Sequence, residues 1–231
     1  MTVAEGLFAQ RVHAREIMDD PIESLSELEA SMRDVEFQNA WFGGAAPALR
    51  ELDRIGAKSV LDVGTGSADI PLLLARRADR RRAELSITCL DRSDQMLEIA
   101  RKRTGEHPRL RFVQADGAAL PFDDGAFDVA MCNLALHHFD PASATLMLRE
   151  LRRVSRRSPL VCDLRRSVTA FAGAYAFSRV FTRNRVTRND APLSVRRAYT
   201  PSEALALAVE AGWRQPHVRS YPFFRMALVD G

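Results

Sequence analysis

From Lys58 onward the chain alternates short β-rich runs with amphipathic stretches, and this alternation restricts the fold more than any other feature. The runs fall at residues 59–63, 85–91, 110–115, 127–133 and 159–164. Between them, Met96, Ile99, Ala100 and Arg103 mark one helical face. Ala144, Met147, Leu148 and Leu151 mark another, with Arg149, Arg152 and Arg153 turned outward. Asp140-Pro141 supplies that second helix with a cap and a first-turn proline. Strands separated by helices pair in parallel, because parallel neighbours need a crossover connection. The end of the chain breaks the rule. A last helix begins at the capping box Thr200-Pro201-Ser202-Glu203 and stops at Gly212. Two runs, 215–221 and 224–229, then follow with only a short turn between them, and so short a connection forces an antiparallel pair. The class is α/β, with a mostly parallel sheet finished by an antiparallel hairpin.

Two segments lie outside this alternation. Before Lys58 the chain reads as helical, with a capping box from Ser24 to Glu27 and a stripe of Leu25, Leu28, Met32 and Val35, until Trp41-Phe42-Gly43-Gly44 interrupts it. Residues 165–198 exceed an ordinary crossover and carry Phe171, Tyr175, Phe177 and Phe181 ahead of an arginine-rich stretch. Both segments read as coverings over one edge of the sheet.

Composition narrows the partners. Of 33 basic residues only Lys58 and Lys102 are lysine, yet 30 acidic residues leave a formal charge of only +3. A protein built for phosphate contacts would show a clear basic excess on one face, so nucleic acid is not the expected partner. Cys89, Cys132 and Cys162 sit in apolar runs without paired spacing, which points to reduced thiols and neither a disulfide framework nor a metal cluster. Glu5, Arg11, Arg15 and Glu16 interrupt the N-terminal segment, so no signal peptide is expected. No apolar stretch approaches the roughly 20 residues of a membrane span. The expected location is cytoplasmic.

The first run ends in Leu61-Asp62-Val63-Gly64-Thr65-Gly66-Ser67-Ala68-Asp69. Glycines there let the backbone turn tightly and let a ligand approach before the helix begins. A nicotinamide fingerprint would place glycine at position 69, whereas this chain has Asp69, with Asp62 just before the loop. Two carboxylates repel a diphosphate, so the ligand is neutral or cationic. The next two runs also end in acids, at Asp91 and Asp116. A carboxylate at the second strand's end suits a ribose diol, and one at the third suits the exocyclic amine of adenine.

Asp62-Val63-Gly64-Thr65-Gly66, Asp91, Met96, Asp116-Gly117, Leu120-Pro121-Phe122 and Phe127-Asp128-Val129 together resemble the class I S-adenosylmethionine-dependent methyltransferases, in the flavour of quinone biosynthesis and aromatic or polyketide natural products. The departure is Ala68, where the family often has a third glycine and a methyl group is expected to be tolerated. The resemblance implies a Rossmann-like doubly wound α/β sheet of seven strands. It also implies an N-terminal helical cap at 1–45 and a methyltransferase domain at 46–231 with a lid-like insertion at 165–199. It implies S-adenosyl-L-methionine as cofactor. Asp62 and the backbone of Gly64, Thr65 and Gly66 would hold the methionine moiety, and Asp91 and Arg92 the ribose side. Met96, Asp116 and Gly117 would hold the adenine, while Asn133 and Leu134 would line the inner end near the sulfonium.

Methyl transfer is an in-line displacement at a carbon already activated by the sulfonium, so the protein supplies alignment, desolvation and, for a weakly acidic acceptor, a base. His137 and His138, just after the fourth strand, are the candidates for that base, because imidazole titrates near neutrality. Asp163, Arg165 and Arg166 at the end of the fifth strand, with Arg196 and Arg197 before the last helix, are candidates for holding a phenolate or carboxylate on the acceptor. The expected partner is a small aromatic or quinone-like molecule, and the chain is a monomer or homodimer without bound metal. A cofactor-binding partner protein without turnover is the competing reading. An RNA methyltransferase is disfavoured because Cys132-Asn133-Leu134-Ala135 lacks the proline-containing motif of base-amine methylation.

Overall fold

The computed structural model describes residues 8–19 and 24–231. Glu5 and the side chain of Leu25 lie outside the described part. Seven strands form one sheet: β1 (Ser59–Val63), β2 (Ser86–Asp91), β3 (Leu110–Gln114), β4 (Val129–Asn133), β5 (Leu160–Leu164), β6 (Pro216–Tyr221) and β7 (Arg225–Asp230). Their order is β3-β2-β1-β4-β5-β7-β6, and only β7 runs antiparallel to its neighbours. β1 pairs in parallel with β2 on one side, Val63 opposite Leu90, and with β4 on the other, Val63 opposite Cys132. The order therefore reverses at β1, and the β1–β4 boundary is where an open sheet of this kind leaves a crevice at the strands' carboxyl ends. The fourth run is shorter than its apolar pattern suggests, since Phe127 makes only an isolated bridge to Ser155.

Helices cover both faces. On one side α2 (Ala46–Ile55), α3 (Asp69–Arg81) and α4 (Asp94–Thr104) bury Leu52, Leu74 and Ala100 against Val60, Ile87 and Met131. On the other, α5 (Pro141–Val154) and α8 (Pro201–Glu210) bury Met147, Leu148, Leu151 and Leu207 against Leu61, Cys132 and Leu228. The outward arginines of α5 follow from that stripe. Asp140 caps α5 by accepting from the Ala142 and Ser143 N–H groups, and the capping box of Thr200 and Glu203 is complete at α8.

The remaining helices sit over the carboxyl edge of the sheet. They are α1 (Leu25–Trp41), capped by Ser24, and the two helices of the long segment after β5, α6 (Val168–Phe181) and α7 (Arg185–Arg197). Leu28 of α1, Ile99 of α4 and Val186 of α7 form a small separate core that also takes in Ile17, Met18 and Met96. Among the described residues no helix is long and apolar enough to cross a membrane.

The turn from β1 into α3 is made in the left-handed region at Gly64 (φ +73°), Gly66 (φ +54°) and Ala68 (φ +55°). Ala68 is fully buried and caps α3 without a side-chain hydrogen bond. The missing third glycine is therefore a strained alanine, since a Cβ in this conformation costs roughly 1–2 kcal/mol. We expect Ala68→Gly to stabilise the protein by about 1 kcal/mol net of the lost methyl burial, read as a thermal midpoint ~2–4 °C higher in a melting experiment.

Candidate active site

A cavity of about 1020 Å³ opens along the carboxyl ends of β1, β2 and β4. All eleven residues that the sequence assigns to a cofactor line it: Asp62, Gly64, Thr65, Gly66, Asp91, Arg92, Met96, Asp116, Gly117, Asn133 and Leu134. The glycine loop is held open from below. The Gly66 N–H donates to one oxygen of Asp91 (2.9 Å), and the Ser93 N–H donates to the other (3.0 Å). Asp91 is thus an anchor for the loop as well as a ligand candidate, a role its sequence position did not reveal. A Cβ on Gly64 would meet Ala135 Cβ at 2.8 Å, and one on Gly117 would meet a Val63 methyl at 2.7 Å, so neither position accepts a side chain without movement. Asp116 spends one oxygen on the Ala118 N–H (2.9 Å), and its side chain is otherwise exposed at the cavity.

The inner end of the cavity holds polar atoms without partners. One oxygen of Asp62 accepts from the Thr65 hydroxyl at 2.8 Å, while the other is buried and unpaired. Both amide atoms of Asn133 are likewise buried and unpaired. Burial of Asp62, with smaller contributions from the charges of Asp69 and Asp91, pushes its carboxyl up to about 7. Buried polar groups are normally satisfied, and leaving one unpaired costs on the order of 1–3 kcal/mol. These three atoms mark where a ligand with donors and an acceptor completes the site.

The two expected histidines behave differently. His137 is buried, its Nδ1 2.8 Å from Asp163 and its backbone N–H donating to the same carboxylate. Burial opposes the charge on Asp163, but His137 and two backbone N–H groups outweigh it and hold the carboxyl below its usual range. His138 lies on the cavity wall with its Nδ1 2.6 Å from Asp19. Asp19 stays ionised well below the usual carboxylate range, because His138 and Arg197 overcome its burial. Arg197 also lines the cavity, where it pairs with Asp19 and donates to the backbone carbonyls of His137 and His138.

Three of the expected acceptor arginines do not reach the cavity. Arg166 is buried in an ion pair with Glu203 (2.6 Å) and donates to the Ala198 carbonyl, so it fastens α8 to the end of β5. Arg165 donates to Ser220 on β6, and Arg196 is absent from the cavity lining. Nor do the aromatic residues of α6 wall it. Phe177 and Phe181 pack with Phe37 on the outside of the molecule, and Phe171 packs against Phe8. The wall is supplied instead by residues 11–19. Arg11 donates to the carbonyls of His137 and Phe139, and Asp190 accepts from the Ile17 and Met18 N–H groups. The only sequence signal for this strap is its mixture of charges, Arg11, Arg15, Glu16 and Asp19, with apolar Val12, Ile17 and Met18.

Comparison with known proteins gives the fold and site a class. Residues 60–158 match the family described as a methyltransferase domain. The chain is 38% identical over 103 residues to a demethylmenaquinone methyltransferase of Thermotoga maritima, a match spanning 45% of this chain and 41% of that protein. It is 35% identical over 120 residues to a release factor glutamine methyltransferase of Chlorobaculum tepidum, spanning 49% and 39% respectively. A SAM-dependent methyltransferase from Aquifex aeolicus has the same fold, with a TM-score of 0.63 at 15% identity over 90% of this chain and 98% of that one. The chain thus covers about two fifths of the length of these curated relatives, whose names differ in acceptor. The seven-stranded sheet, with its single antiparallel strand, has the fold of that solved methyltransferase.

The raised carboxyl of Asp62 has a consequence for stability. Its folded value of about 7 lies above the unfolded value of roughly 4, so the folded state holds the proton more tightly and stability falls as pH rises between the two. Asp62→Asn removes that loss. Relative to the unmutated ligand-free protein, the variant is expected to gain stability progressively from pH 4 to 7, on the order of a few kcal/mol, and to keep the gain above pH 7. Denaturant melts across this range check it.

Proposed function

We propose that the chain is an S-adenosylmethionine-dependent methyltransferase acting on an oxygen or carbon of a small aromatic, quinone-like or polyketide acceptor. The observation that carries this reading is the unpaired, buried carboxylate oxygen of Asp62 beside the unpaired Asn133 amide, at the inner end of a cavity whose outer end is lined by Asp91, Met96 and Asp116. An α-amino group satisfies Asp62, and a cationic donor favours its ionised form. The free lone pairs of Asp91 suit a diol, and the remaining oxygen of Asp116 suits an amine. The cofactor supplies an activated methyl at the inner end of the cavity. What the chain contributes is position. Leu134, in the left-handed region at φ +54°, carries the backbone from Asn133 toward His138 along that end.

The acceptor then occupies the space between that end and the wall of His138, Asp19 and Arg197. Displacement is in line, so the acceptor atom must sit on the axis of the breaking carbon–sulfur bond. Arg197 and Arg11 favour an acceptor that ionises at oxygen, and the His138 side of the wall is where its proton is lost. The cavity's walls of Leu28, Met32 and Val35 suit an apolar remainder.

Calorimetry with S-adenosylmethionine tests the cofactor half, and absence of binding to the unmutated protein overturns the reading. We expect Asp91→Ala to weaken binding by about 1.5–3 kcal/mol, because it removes charge-assisted contacts and frees the glycine loop together. Transfer of radiolabelled methyl to a panel of phenols, quinones and alkylresorcinols, with tRNA as control, tests the acceptor half. On a positive acceptor, His138→Ala should lower turnover by ~10²–10⁴ while leaving cofactor affinity nearly unchanged.

A further inference from the structure

The strap of residues 11–19 does more than close one wall, because it brings Glu16 against the histidine pair. Glu16 is almost fully buried. The His137 Nε2 lies 4.0 Å from its Oε1, and the His138 Nε2 lies 3.9 Å from its Oε2. One atom from each of the three side chains falls within 4.8 Å of the others. The far nitrogens are already committed, His137 Nδ1 to Asp163 and His138 Nδ1 to Asp19. A neutral imidazole that donates from Nδ1 to a carboxylate presents a lone pair at Nε2. Two such lone pairs and a carboxylate then face one another. Ser194 hydrogen-bonds the Glu16 side chain and the Arg197 guanidinium stands 3.6 Å from Oε1, yet that oxygen has no hydrogen-bond partner. Such an arrangement asks for a cation at its centre.

We propose that Glu16, His137 and His138 bind a divalent first-row transition metal ion, with Asp163 and Asp19 as the outer carboxylates that orient the two imidazoles. Metal-bound histidines characteristically donate their other ring nitrogen to a carboxylate in this way. Two imidazoles and one carboxylate, without a thiolate, suit zinc, iron(II), cobalt(II) or manganese(II). An ion held at about 2.0–2.1 Å from each ligand wants ligand atoms roughly 3.3–3.5 Å apart, so separations of up to 4.8 Å would close by as much as about 1.4 Å on binding. Residues 11–16 belong to no helix or strand, so no helical or sheet ladder opposes that adjustment of Glu16. The absence of any thiolate or short-spaced ligand motif is why the sequence does not show the site: its third ligand, Glu16, lies far upstream of the two adjacent histidines.

In the ion-free protein Arg197 lies 3.6 Å from Glu16 Oε1. On binding, the guanidinium yields that oxygen and keeps Asp19 and the two histidine carbonyls. Of the three ligands only His138 lines the cavity, while Glu16 and His137 are buried behind that wall, so the ion would meet the acceptor space on the His138 side alone. Resting on the methyltransferase reading, an ion on His138 Nε2 would replace that imidazole as the group that draws off the acceptor's proton: it would polarise the hydroxyl, the O–H proton would leave to solvent, the oxygen would attack the methyl, and the carbon–sulfur bond would break to release the thioether.

The test is titration of the whole, chelator-treated chain with cobalt(II) and zinc(II), followed by visible absorption and by elemental analysis after desalting. About one equivalent should bind. Glu16→Gln and His138→Gln should each abolish it, and Asp19→Asn should weaken it ~10–100-fold. Calorimetry with S-adenosylmethionine on the same samples reports an intact fold and keeps the two ideas apart. Cofactor binding without cobalt binding, or cobalt binding that survives Glu16→Gln, overturns the metal site alone and leaves Glu16 as the partner of Arg197. Loss of cofactor binding in the unmutated protein overturns the methyltransferase reading, whatever the metal does.

Discussion

The cavity exists because β1 lies in parallel register between β2 and β4, so that three strands deliver their carboxyl ends to one edge at the point where strand order reverses. Asp62, Asp91 and Asn133 come within reach of one ligand for that reason and no other. The register is enforced by burial on both faces: Val60, Leu61, Val63, Ile87, Leu90 and Met131 are all essentially inaccessible to water. A shift of one residue would send each of these side chains to the wrong layer. The polar edge is therefore held in place by apolar packing it does not touch.

That edge is costly as it stands. The Asp62 carboxylate and the Asn133 amide are desolvated without compensation, and three of the backbone positions around them, Gly64, Ala68 and Leu134, sit at positive φ. Two of these residues carry a Cβ that makes the conformation unfavourable. Concentrated strain and unpaired polarity are what a binding site built ahead of its ligand shows, and the surrounding sheet is rigid enough to keep both.

The sheet and the cofactor end could be read from the amino-acid order because their signals are local. A strand ending in an acid, followed by a glycine turn, states both a backbone path and a ligand contact within ten residues, and Asp91 and Asp116 repeat the statement on successive strands. The acceptor end could not be read this way. His138 is oriented by Asp19, Arg197 by the same acid, and Arg11 by carbonyls of the segment after β4, all pairings between distant parts of the chain. Arg165 and Arg166 are assigned to the acceptor only from their place at a strand end, and Arg196 only from its place before the last helix. Buried ion pairing to Glu203 takes Arg166 out of contention, a partner that helix capping had already marked for another purpose. The arginine-rich composition resolves in the same manner. Arg153, for example, ties Glu150 to the carbonyls of Leu120 and Phe122 and holds the loop before β4.

The strap at residues 11–19 is joined to the rest by hydrogen bonds to main-chain atoms and to Asp190, by the pairing of Asp19 with Arg197 and His138, and by the packing of Ile17 and Met18 on a small separate core. The two halves of the cavity thus have different evolutionary freedom. The cofactor half is cut into the sheet and cannot vary without disturbing the core. The opposite half is walled by residues 11–19 and by Leu28, Met32 and Val35 of α1, with Arg197 the one lining residue from α6 and α7, so it lies outside the strands that form the core.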